Sequence, residues 1–475
     1  MRVSSGPLQA IPYHNDFPGN PQEEKGKEGK KMRKRGSGPW IDRRAFLRTG
    51  SLLGAGLALS ILSPGAGLAQ EKKLRFLTPE ADPAQIEVWK KLFAAFARQK
   101  PGVRVEGEFT KWDDIVKKLA TDIAVRRPPE LVVGGSQPSF TYEHFKRGYL
   151  KEMSDVVEAI GRENLDATAL GAWNVNGKQI AIPYGSQGPV LWYRKDILEE
   201  KGLKPPVTWE DYLEVAEKTT DPKKGIYGAV FPYGRTWNTD IQVYISIWSN
   251  GGFIFDEKLR VVFDSPETRG ALKYYKEMAR FSPPDAGTYG FREASNAFVS
   301  GRSVTTFYWG RVLSHLHRSA PELVSKSGAV PIPRSKITRT ALHHDEVFLY
   351  KTPNTAEAVE LVKLMFSDTW LKQILWTVPG HVIPTKKSLL AIYLEHPWLK
   401  ESPDIAKTLS EVPTYGVSAV KESPNHPFNY KWAAVTGNRV IADCIQRIII
   451  GKESIPKAVA WAHKRMVEVT KDIKG

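Results

Sequence analysis

Serine and lysine occur three residues apart at two places in this 475-residue chain, Ser418 with Lys421 and Ser454 with Lys457. In penicillin-binding enzymes the serine of such a Ser-x-x-Lys motif is the nucleophile, and those enzymes also carry Ser-Asp-Asn and Lys-Thr-Gly motifs. Neither of those motifs occurs in the sequence. The hydrolase, metalloprotease and phosphate-binding motifs Gly-x-Ser-x-Gly, His-Glu-x-x-His and Gly-x-x-x-x-Gly-Lys are missing as well. We therefore predict that the chain is not an enzyme.

Two adjacent histidines, His343 and His344, stand directly before Asp345 and Glu346. Imidazole and carboxylate groups are common metal ligands. Neighbouring residues on an extended strand point to opposite faces, however, so the two histidines are not expected to hold one ion. We predict neither a metal nor another cofactor.

Polar residues also follow two of the strands that the sequence predicts. Residues 73–78, 103–109 and 130–135 have the pattern of strands, with amphipathic helices from residue 83 and over residues 112–125 between them. This alternation predicts parallel strands joined by right-handed crossovers. Ligands of such sheets lie beyond the carboxyl ends of the strands. Glu80, Ser136 and Gln137 follow these ends and are candidate ligand-binding residues.

Apolar residues at helical spacing predict further helices later in the chain. They cover residues 266–280, 355–367, 370–378 and 455–469. No internal repeat is present, and the mixture of strands and helices predicts an α/β protein.

The segment DRRAFLRTGSLLGAGLALSIL, residues 42–62, has the charge and hydropathy order of a secretory signal peptide. Its apolar run of about 11 residues is too short to span a bilayer, which needs roughly 20 residues as a helix. Arg43 and Arg44, followed by Phe46, resemble a twin-arginine export signal. We predict cleavage after Ala69 and a periplasmic or other extracytoplasmic location, reached through the twin-arginine machinery.

Composition narrows the classes of partner. The formal net charge of the whole chain is +16, and the first 69 residues carry 11 Lys+Arg and 5 Asp+Glu, which leaves 57 against 47, or +10. After residue 69 there is no run of five like charges, so nucleic-acid binding is not predicted. Cys444 is the single cysteine and cannot form an internal disulfide. The 14 Trp and 17 Tyr side chains are suited to ligands with apolar faces.

Ten segments, spread in order over nearly the whole chain after residue 70, carry a family resemblance. They are PGVRV, KWDDIVKKL, PPELVV, GKQIAIPY, LWYRKDIL, KPPVTWEDY, NGGFIF, AFVSGRSVTTFYW, GHVIPTKKS and IIIGKESIPKAVAWA. Together they resemble family 1 of the extracellular solute-binding proteins, the maltose-binding-protein-like receptors of bacterial ABC importers. The sequence departs from the family at residues 341–346, where relatives usually have glycines before an apolar strand.

The resemblance implies a two-lobed, type II-like periplasmic-binding-protein fold with a hinge and a ligand cleft between the lobes. One lobe would contain residues 70–182 and 335–383, and the other residues 183–334 and 384–475. The chain would cross between them near residues 182–183, 331–334 and 382–384, where prolines restrict the backbone. Ligand would contact both lobes only when they close, so binding would drive hinge closure.

The resemblance also implies ligand contacts at particular residues of this chain. On the strand ends and at the first crossing they are Glu80, Ser136, Gln137, Tyr184 and Gln187. On the second lobe they are Trp237, Asp240, Trp309, Arg311 and Trp432. His344 or Asp345, in the segment that departs from the family, is expected to contact ligand directly.

The implied function is an extracytoplasmic receptor that captures a mono- or oligosaccharide and delivers it to an ABC permease, as a monomer. An anionic or non-sugar solute is the alternative: a phosphorylated polyol, an oligogalacturonide, a polyamine or a ferric ion. A secreted hydrolase is a more distant alternative. The net charge and Arg311 leave an anionic sugar open, whereas the candidate cleft has few of the clustered acids or tyrosines that polyamines and iron require.

Overall fold

The computed structural model describes residues 71–112, 114–135, 138–423 and 425–473. The predicted export signal and its cleavage after Ala69 lie outside the described residues, as do Ser136 and Gln137.

The described residues form strands and helices that alternate along the chain. The strands are β1 (Lys72–Thr78), β2 (Val103–Phe109), β3 (Leu131–Val133), β4 (Asn174–Val175), β5 (Lys178–Gln179), β6 (Ile182–Gln187), β7 (Val190–Arg194), β8 (Thr305–Tyr308), β9 (Ser327–Val330), β10 (Thr340–Ala341), β11 (His343–Leu349), β12 (Ile383–Pro384) and β13 (Gly416–Val417). The α-helices are α1 (Pro83–Gln99), α2 (Ile115–Ala124), α3 (Pro138–Lys146), α4 (Ser154–Ile160), α5 (Ala167–Ala172), α6 (Lys195–Glu200), α7 (Trp209–Thr219), α8 (Trp237–Ser249), α9 (Pro266–Met278), α10 (Phe291–Val299), α11 (Arg311–Ser319), α12 (Thr355–Met365), α13 (Asp368–Trp376), α14 (Leu390–Leu394), α15 (Pro397–Glu401), α16 (Pro403–Tyr415), α17 (Trp432–Gly437), α18 (Val440–Ile449) and α19 (Ile455–Thr470).

The larger sheet has six strands in the order β12-β6-β11-β3-β1-β2. Strand β1 is parallel to β2 and to β3, as the strand–helix alternation predicts. Strand β11 runs antiparallel to both β3 and β6, so β6 has the same direction as β3. The carboxyl ends of β1, β3 and β6 and the start of β11 therefore share one edge of this sheet.

The smaller sheet has three strands in the order β8-β7-β9, with β7 antiparallel to both neighbours. Strand β6 of the larger sheet continues through the predicted crossing at residues 182–183 to Gln187, and β7 of the smaller sheet begins at Val190. Only Gly188 and Pro189 separate the two strands. The chain thus passes between the sheets over two residues, and a strand of each sheet reaches the same place.

Helix α1 shows why the first predicted elements form. Pro83 occupies its first turn, where a missing N–H leaves no hydrogen bond unmade. Its apolar face buries Trp89, Phe93 and Phe96. The rings of Trp89 and Phe93 each lie with centroids 4.9 Å from the ring of Phe76 on β1. The helix is thereby fixed against the larger sheet.

The two-lobed α/β class is confirmed, while the residue limits of the lobes stay a prediction. Helix α2 starts at Ile115, three residues later than predicted, and β3 is shorter than the predicted strand. Within the described ranges, no helix has both the length and the apolar character needed to cross a bilayer.

Gly228 lies where the chain passes directly over helix α7. A Cβ atom at this position would lie 2.1 Å from the carbonyl oxygen of Ala216, a backbone atom that cannot swing away. We expect Gly228→Ala to lower the free energy of unfolding by about 1–3 kcal/mol, the usual cost of overpacking. Urea unfolding followed by circular dichroism measures this change.

Gly171→Ala is the matched control for that substitution. Gly171 lies in α5, and no heavy atom of the described structure is within 4 Å of its added Cβ. Alanine is the better helix former, so this variant should be at least as stable as the parent. Equal stability of the two variants would contradict the close approach at Gly228.

Candidate functional site

A cavity of about 1080 Å³ lies at the edge of the larger sheet where the strand ends meet, and elements of the smaller sheet complete its wall. From the larger sheet, the lining includes Pro79 and Glu80 after β1, Gly135 after β3, Gln187 at the end of β6, and the first residues of β11. Tyr308 and Trp309 come from the end of β8, and α8, α10, α11 and α17 contribute residues near their N-terminal ends. Both sheets thus supply side chains to one cavity.

Most of the predicted ligand-binding residues are brought together in this lining. They are Glu80, Gln187, Trp237, Trp309, Arg311, His344 and Trp432. Asp345, the alternative to His344, is also in the lining. Tyr184 and Asp240 are not in it, and Ser136 and Gln137 lie between the described lining residues Gly135 and Pro138.

Tyr184 lies behind the cavity wall, in contrast to the prediction that it contacts ligand. Its side chain is buried on β6, and burial raises the pKa of its hydroxyl well above the usual value, with the carboxyls of Asp345 and Glu80 adding to this effect. The Tyr184 hydroxyl therefore stays un-ionised inside the protein.

Asp240 is fully buried in α8 and also faces away from the cavity. Its carboxylate accepts a hydrogen bond from the backbone N–H of Ala442 at 2.8 Å and lies 3.4 Å from the Nη1 atom of Arg439. Burial raises the pKa of Asp240 to about 7, against the opposing effect of Arg439. Arg439 itself lines the cavity, so Asp240 positions a lining residue instead of lining the cavity.

Arg311, the first residue of α11, forms an ion pair with two acids that follow β1. Its Nη2 atom lies 3.3 Å from Glu80 Oε2, and its Nη1 atom donates to Asp82 Oδ2. The Glu80 side chain is buried, and burial raises the pKa of its carboxyl, an effect that Arg311 offsets only in part. The guanidinium of Arg311 keeps a raised pKa because the two carboxylates outweigh the loss of water around it. This ion pair joins an element of the smaller sheet to the end of a strand of the larger sheet.

Aromatic rings form one wall of the cavity around the end of β8. The centroid of Trp309 lies 5.3 Å from the ring of Phe291, 5.7 Å from Tyr308 and 6.0 Å from His343. Trp237 meets His343 edge to face at 5.8 Å. We call Trp237, Phe291, Tyr308 and Trp309 the aromatic wall. Such rings present flat apolar faces whose orientation is fixed by their neighbours.

Trp432 lies in a separate cluster with most of its surface covered. Only 3 % of the residue is exposed, and its ring packs against those of Tyr244 at 5.2 Å and Phe255 at 6.3 Å. It lines the cavity with only a small part of its surface.

Four consecutive polar residues at the start of β11, residues 343–346, line the cavity, and two of them contact side chains of β6. Gln187 donates from Nε2 to Asp345 Oδ2 at 2.7 Å, and His344 Nδ1 lies 2.8 Å from Ser186 Oγ. Burial raises the pKa of the Asp345 carboxyl well above its usual range, and the nearby carboxyls of Glu80 and Glu346 raise it further. The described ranges contain no group of three His, Cys, Asp or Glu side chains that could hold a metal ion.

Several lining residues were not among the predicted contacts. They include Trp112, Trp173, Phe291, His343, His381 and Arg439. Trp112 follows the carboxyl end of β2, so the strand-end argument applied to Glu80 would have found it. His381 lies in GHVIPTKKS, one of the ten segments of the family resemblance, just before the two-residue strand β12, but no pattern there marks the histidine as a contact. Its position could only come from the fold.

The chain matches the model of a family described as bacterial extracellular solute-binding protein, over residues 81–372. It belongs to this family. The resemblance seen in the sequence is thereby confirmed, and the family is one of transport binding proteins that act outside the cytoplasm. A relative of this solute-binding protein is YcjN of Escherichia coli (strain K12), a candidate ABC transporter periplasmic-binding protein. The two are 23% identical over 445 residues, which cover 88% of this chain and 97% of the relative.

Solved structures of solute-binding proteins share the fold. One, from Thermotoga lettingae and bound with α-D-tagatose, has a TM-score of 0.72 at 20% identity and covers 84% of this chain and 100% of its own. The maltose-bound MalE3 of T. maritima has a TM-score of 0.70 at 22% identity and covers 84% of this chain and 99% of its own. At these identities the likeness establishes the fold of this solute-binding protein.

The two histidines of β11 give a pH prediction. Burial lowers the pKa of both His343 and His344 to about 4, against about 6.5 in an unfolded chain. The unfolded state therefore takes up protons first as pH falls, so their stabilising contribution is complete above about pH 6.5 and is lost towards pH 4. Urea unfolding at several pH values should show this decrease, with a smaller slope in His344→Gln. Parallel curves for variant and parent would contradict the assignment to His344.

Proposed function

We propose that this protein is an extracytoplasmic receptor that binds a carbohydrate, a mono- or oligosaccharide, and delivers it to an ABC importer. The observation that carries the proposal is the composition of the cavity wall. Aromatic rings and uncharged hydrogen-bonding groups from elements of both sheets line one volume of about 1080 Å³. Ligand pockets typically measure roughly 300–1,000 Å³, so the cavity is large enough for more than one sugar ring.

A sugar matches these two kinds of group. Its C–H faces pack against rings such as those of the aromatic wall, and its hydroxyls both donate and accept hydrogen bonds. Among the described residues, Trp237 Nε1, His343 Nδ1, His381 Nδ1 and Glu80 Oε1 are buried atoms with no hydrogen-bond partner in the protein. Each unpaired buried polar group costs about 1–3 kcal/mol, and because these four atoms are covered by the protein, a ligand can pair with them only if their side chains turn towards it.

The ligands bound in solved structures of the same fold support the same class. The T. lettingae protein is bound with α-D-tagatose and the T. maritima protein with maltose. Those sugars belong to those proteins. For this chain they indicate a class, because the cavity offers the aromatic and polar groups that such ligands need.

The proposal includes the assignments that follow from a two-lobed receptor. Lobes of residues 70–182 with 335–383 and of 183–334 with 384–475 close on the ligand about the crossings between them. The protein reaches its location through a twin-arginine signal, works as a monomer and does not catalyse a reaction. Its ligand contacts are Glu80, Gln187, Trp237, Trp309, Arg311, His344 and Trp432, with Ser136 and Gln137 added from the sequence.

Thermal unfolding against a solute panel tests the proposal. The panel contains mono- and disaccharides, polyols, spermidine, putrescine and ferric citrate. A ligand present at about 100 times its dissociation constant adds roughly 2.7 kcal/mol to stability, which raises the midpoint measurably. A midpoint raised by at least one carbohydrate supports the proposal. A midpoint raised only by polyamines or iron would overturn it. Parallel assays with p-nitrophenyl glycosides and esters should show no hydrolysis.

Trp309 should be the strongest aromatic contact for two reasons. Its ring belongs to the aromatic wall, and the family resemblance implies a ligand contact at this position. We expect Trp309→Ala to weaken binding of the best panel sugar by about 1–3 kcal/mol, the scale of a lost aromatic contact and its burial. Isothermal titration calorimetry measures the change. The control is Trp461→Ala, a residue of α19 outside the lining, which should leave affinity unchanged. Equal effects of the two substitutions would remove Trp309 from the site.

Gly310 lies between Trp309 and Arg311 and gives a prediction about closure. A Cβ atom at Gly310 would lie 1.7 Å from the carbonyl oxygen of Gly380, on the segment that leads to β12 of the larger sheet. Gly310→Ala should therefore force these two segments apart and favour an open form. We expect weaker sugar binding and a larger radius of gyration by X-ray scattering in the presence of ligand. Gly171→Ala again serves as the control, and an unchanged radius would contradict the prediction.

A further inference from the structure

Three of the five basic side chains that line the cavity are already paired with acids of the protein, and the other two, Lys111 and Arg292, are exposed to solvent. Arg311 is the arginine placed between the two sheets, and both Glu80 and Asp82 share its guanidinium. Arg439 is paired with Asp240, and Arg235 with Asp443 at 2.6 Å. An arginine that already binds carboxylates offers little to an anionic ligand, because the ligand would have to displace them.

Asp82 is placed in a way that capping does not explain. It stands at the N-cap of α1, a position where aspartate normally accepts a hydrogen bond from the first turn of its helix. Its side chain makes no such bond to α1 and instead binds Arg311 across the cavity. The carboxylate is thus used to neutralise a cation of the site.

The buried polar atoms without a partner in the described lining belong mostly to neutral groups. His343 Nδ1, His381 Nδ1 and Trp237 Nε1 have no partner among the described residues. Burial lowers the pKa of His343 to about 4 and that of His381 well below its usual value, so both rings are neutral at physiological pH. The exception among these atoms is Glu80 Oε1, which belongs to a carboxyl group and offers an anion no positive charge.

We propose that the ligand is an uncharged polyhydroxyl compound and that Asp82 is the residue that excludes its anionic counterparts, by holding Arg311 neutralised together with Glu80. This inference rests on the proposed carbohydrate function and narrows its substrate class. Sugar acids and sugar phosphates would meet Glu80 and Asp82 where they need a free cation. A neutral sugar or polyol needs no free cation there, so the pairing of Arg311 costs it nothing.

The test compares neutral ligands with anionic ones of the same shape. Each sugar or polyol that binds in the panel is measured by calorimetry beside its carboxylate or phosphate counterpart, for example D-glucose with D-glucuronate and mannitol with mannitol 1-phosphate. We expect the anion to bind at least about tenfold more weakly, which corresponds to about 1.4 kcal/mol. An anion that binds as well as its neutral counterpart, or better, would overturn the inference and leave the carbohydrate function standing.

Substitutions at position 82 test the residue itself. Asn caps helices as well as Asp does, so Asp82→Asn should fold normally while removing one charge from Arg311. We expect this variant to reduce the difference in affinity between the neutral ligand and its anionic counterpart at least several-fold, chiefly because the anion binds more tightly. Asp82→Glu keeps the charge and should keep most of the discrimination. A ratio unchanged in Asp82→Asn would overturn the role of Asp82.

The two proposals fail in different ways. If no carbohydrate of either charge raises the thermal midpoint or gives heat in the titration, the carbohydrate function fails and the inference with it. If carbohydrates bind but the anionic member of each pair is preferred, only the inference fails.

Discussion

The ion pair of Arg311 with Glu80 and Asp82 connects the two sides of the cavity. Its members stand at the end of β1 in the larger sheet and at the start of α11, directly after the smaller sheet. A buried ion pair contributes little net stability, because water is removed from both charges, but loss of one partner leaves the other uncompensated. Glu80 is buried, so separation of the two sides requires that water reach its carboxylate. The relative position of the two sides of the cavity therefore depends on whether water or a ligand occupies the space around this ion pair.

The segment that carries Arg311 also brings the two sides into backbone contact. Gly310 can approach the carbonyl of Gly380 only because it has no side chain. The same short segment supplies Trp309 to the aromatic wall. These three consecutive residues thus supply an aromatic ring, a backbone contact with Gly380 and a positive charge. A substitution at any one of them would therefore shift the other two. For a receptor that must close on its ligand, this arrangement couples the shape of the site to closure.

Charge compensation and the raised pKa of Asp345 give the cavity a neutral character that its sequence does not suggest. Five basic side chains line it, Lys111, Arg235, Arg292, Arg311 and Arg439, and the chain as a whole is strongly basic. From the sequence alone, a basic chain with an arginine in its cleft is compatible with an anionic sugar as the ligand. The structure places acids against the arginines that face inward, and burial favours the uncharged forms of the histidines and of Asp345. The remaining hydrogen-bonding groups are those that hydroxyls need.

The local elements could be predicted from the sequence because their causes are local. The period of apolar residues placed β1, α1 and β2, and the breaks at Pro101 and Pro128 separated them. The rule that parallel strands present ligands at their carboxyl ends found Glu80, and the family resemblance found Trp309 and Arg311. All three residues line the cavity, and in each case the signal lies within a few residues of the position it predicts.

The sequence by itself therefore determined the family, the α/β class and the strand ends around which a site forms. Tertiary structure alone decided that Tyr184 and Asp240 face inward, that His381 joins the cavity, and that Asp82 pairs with Arg311, 229 residues away. The physical reason is that burial and charge pairing depend on which distant segments meet. No local pattern in the sequence reports the identity of a partner that arrives from the other sheet.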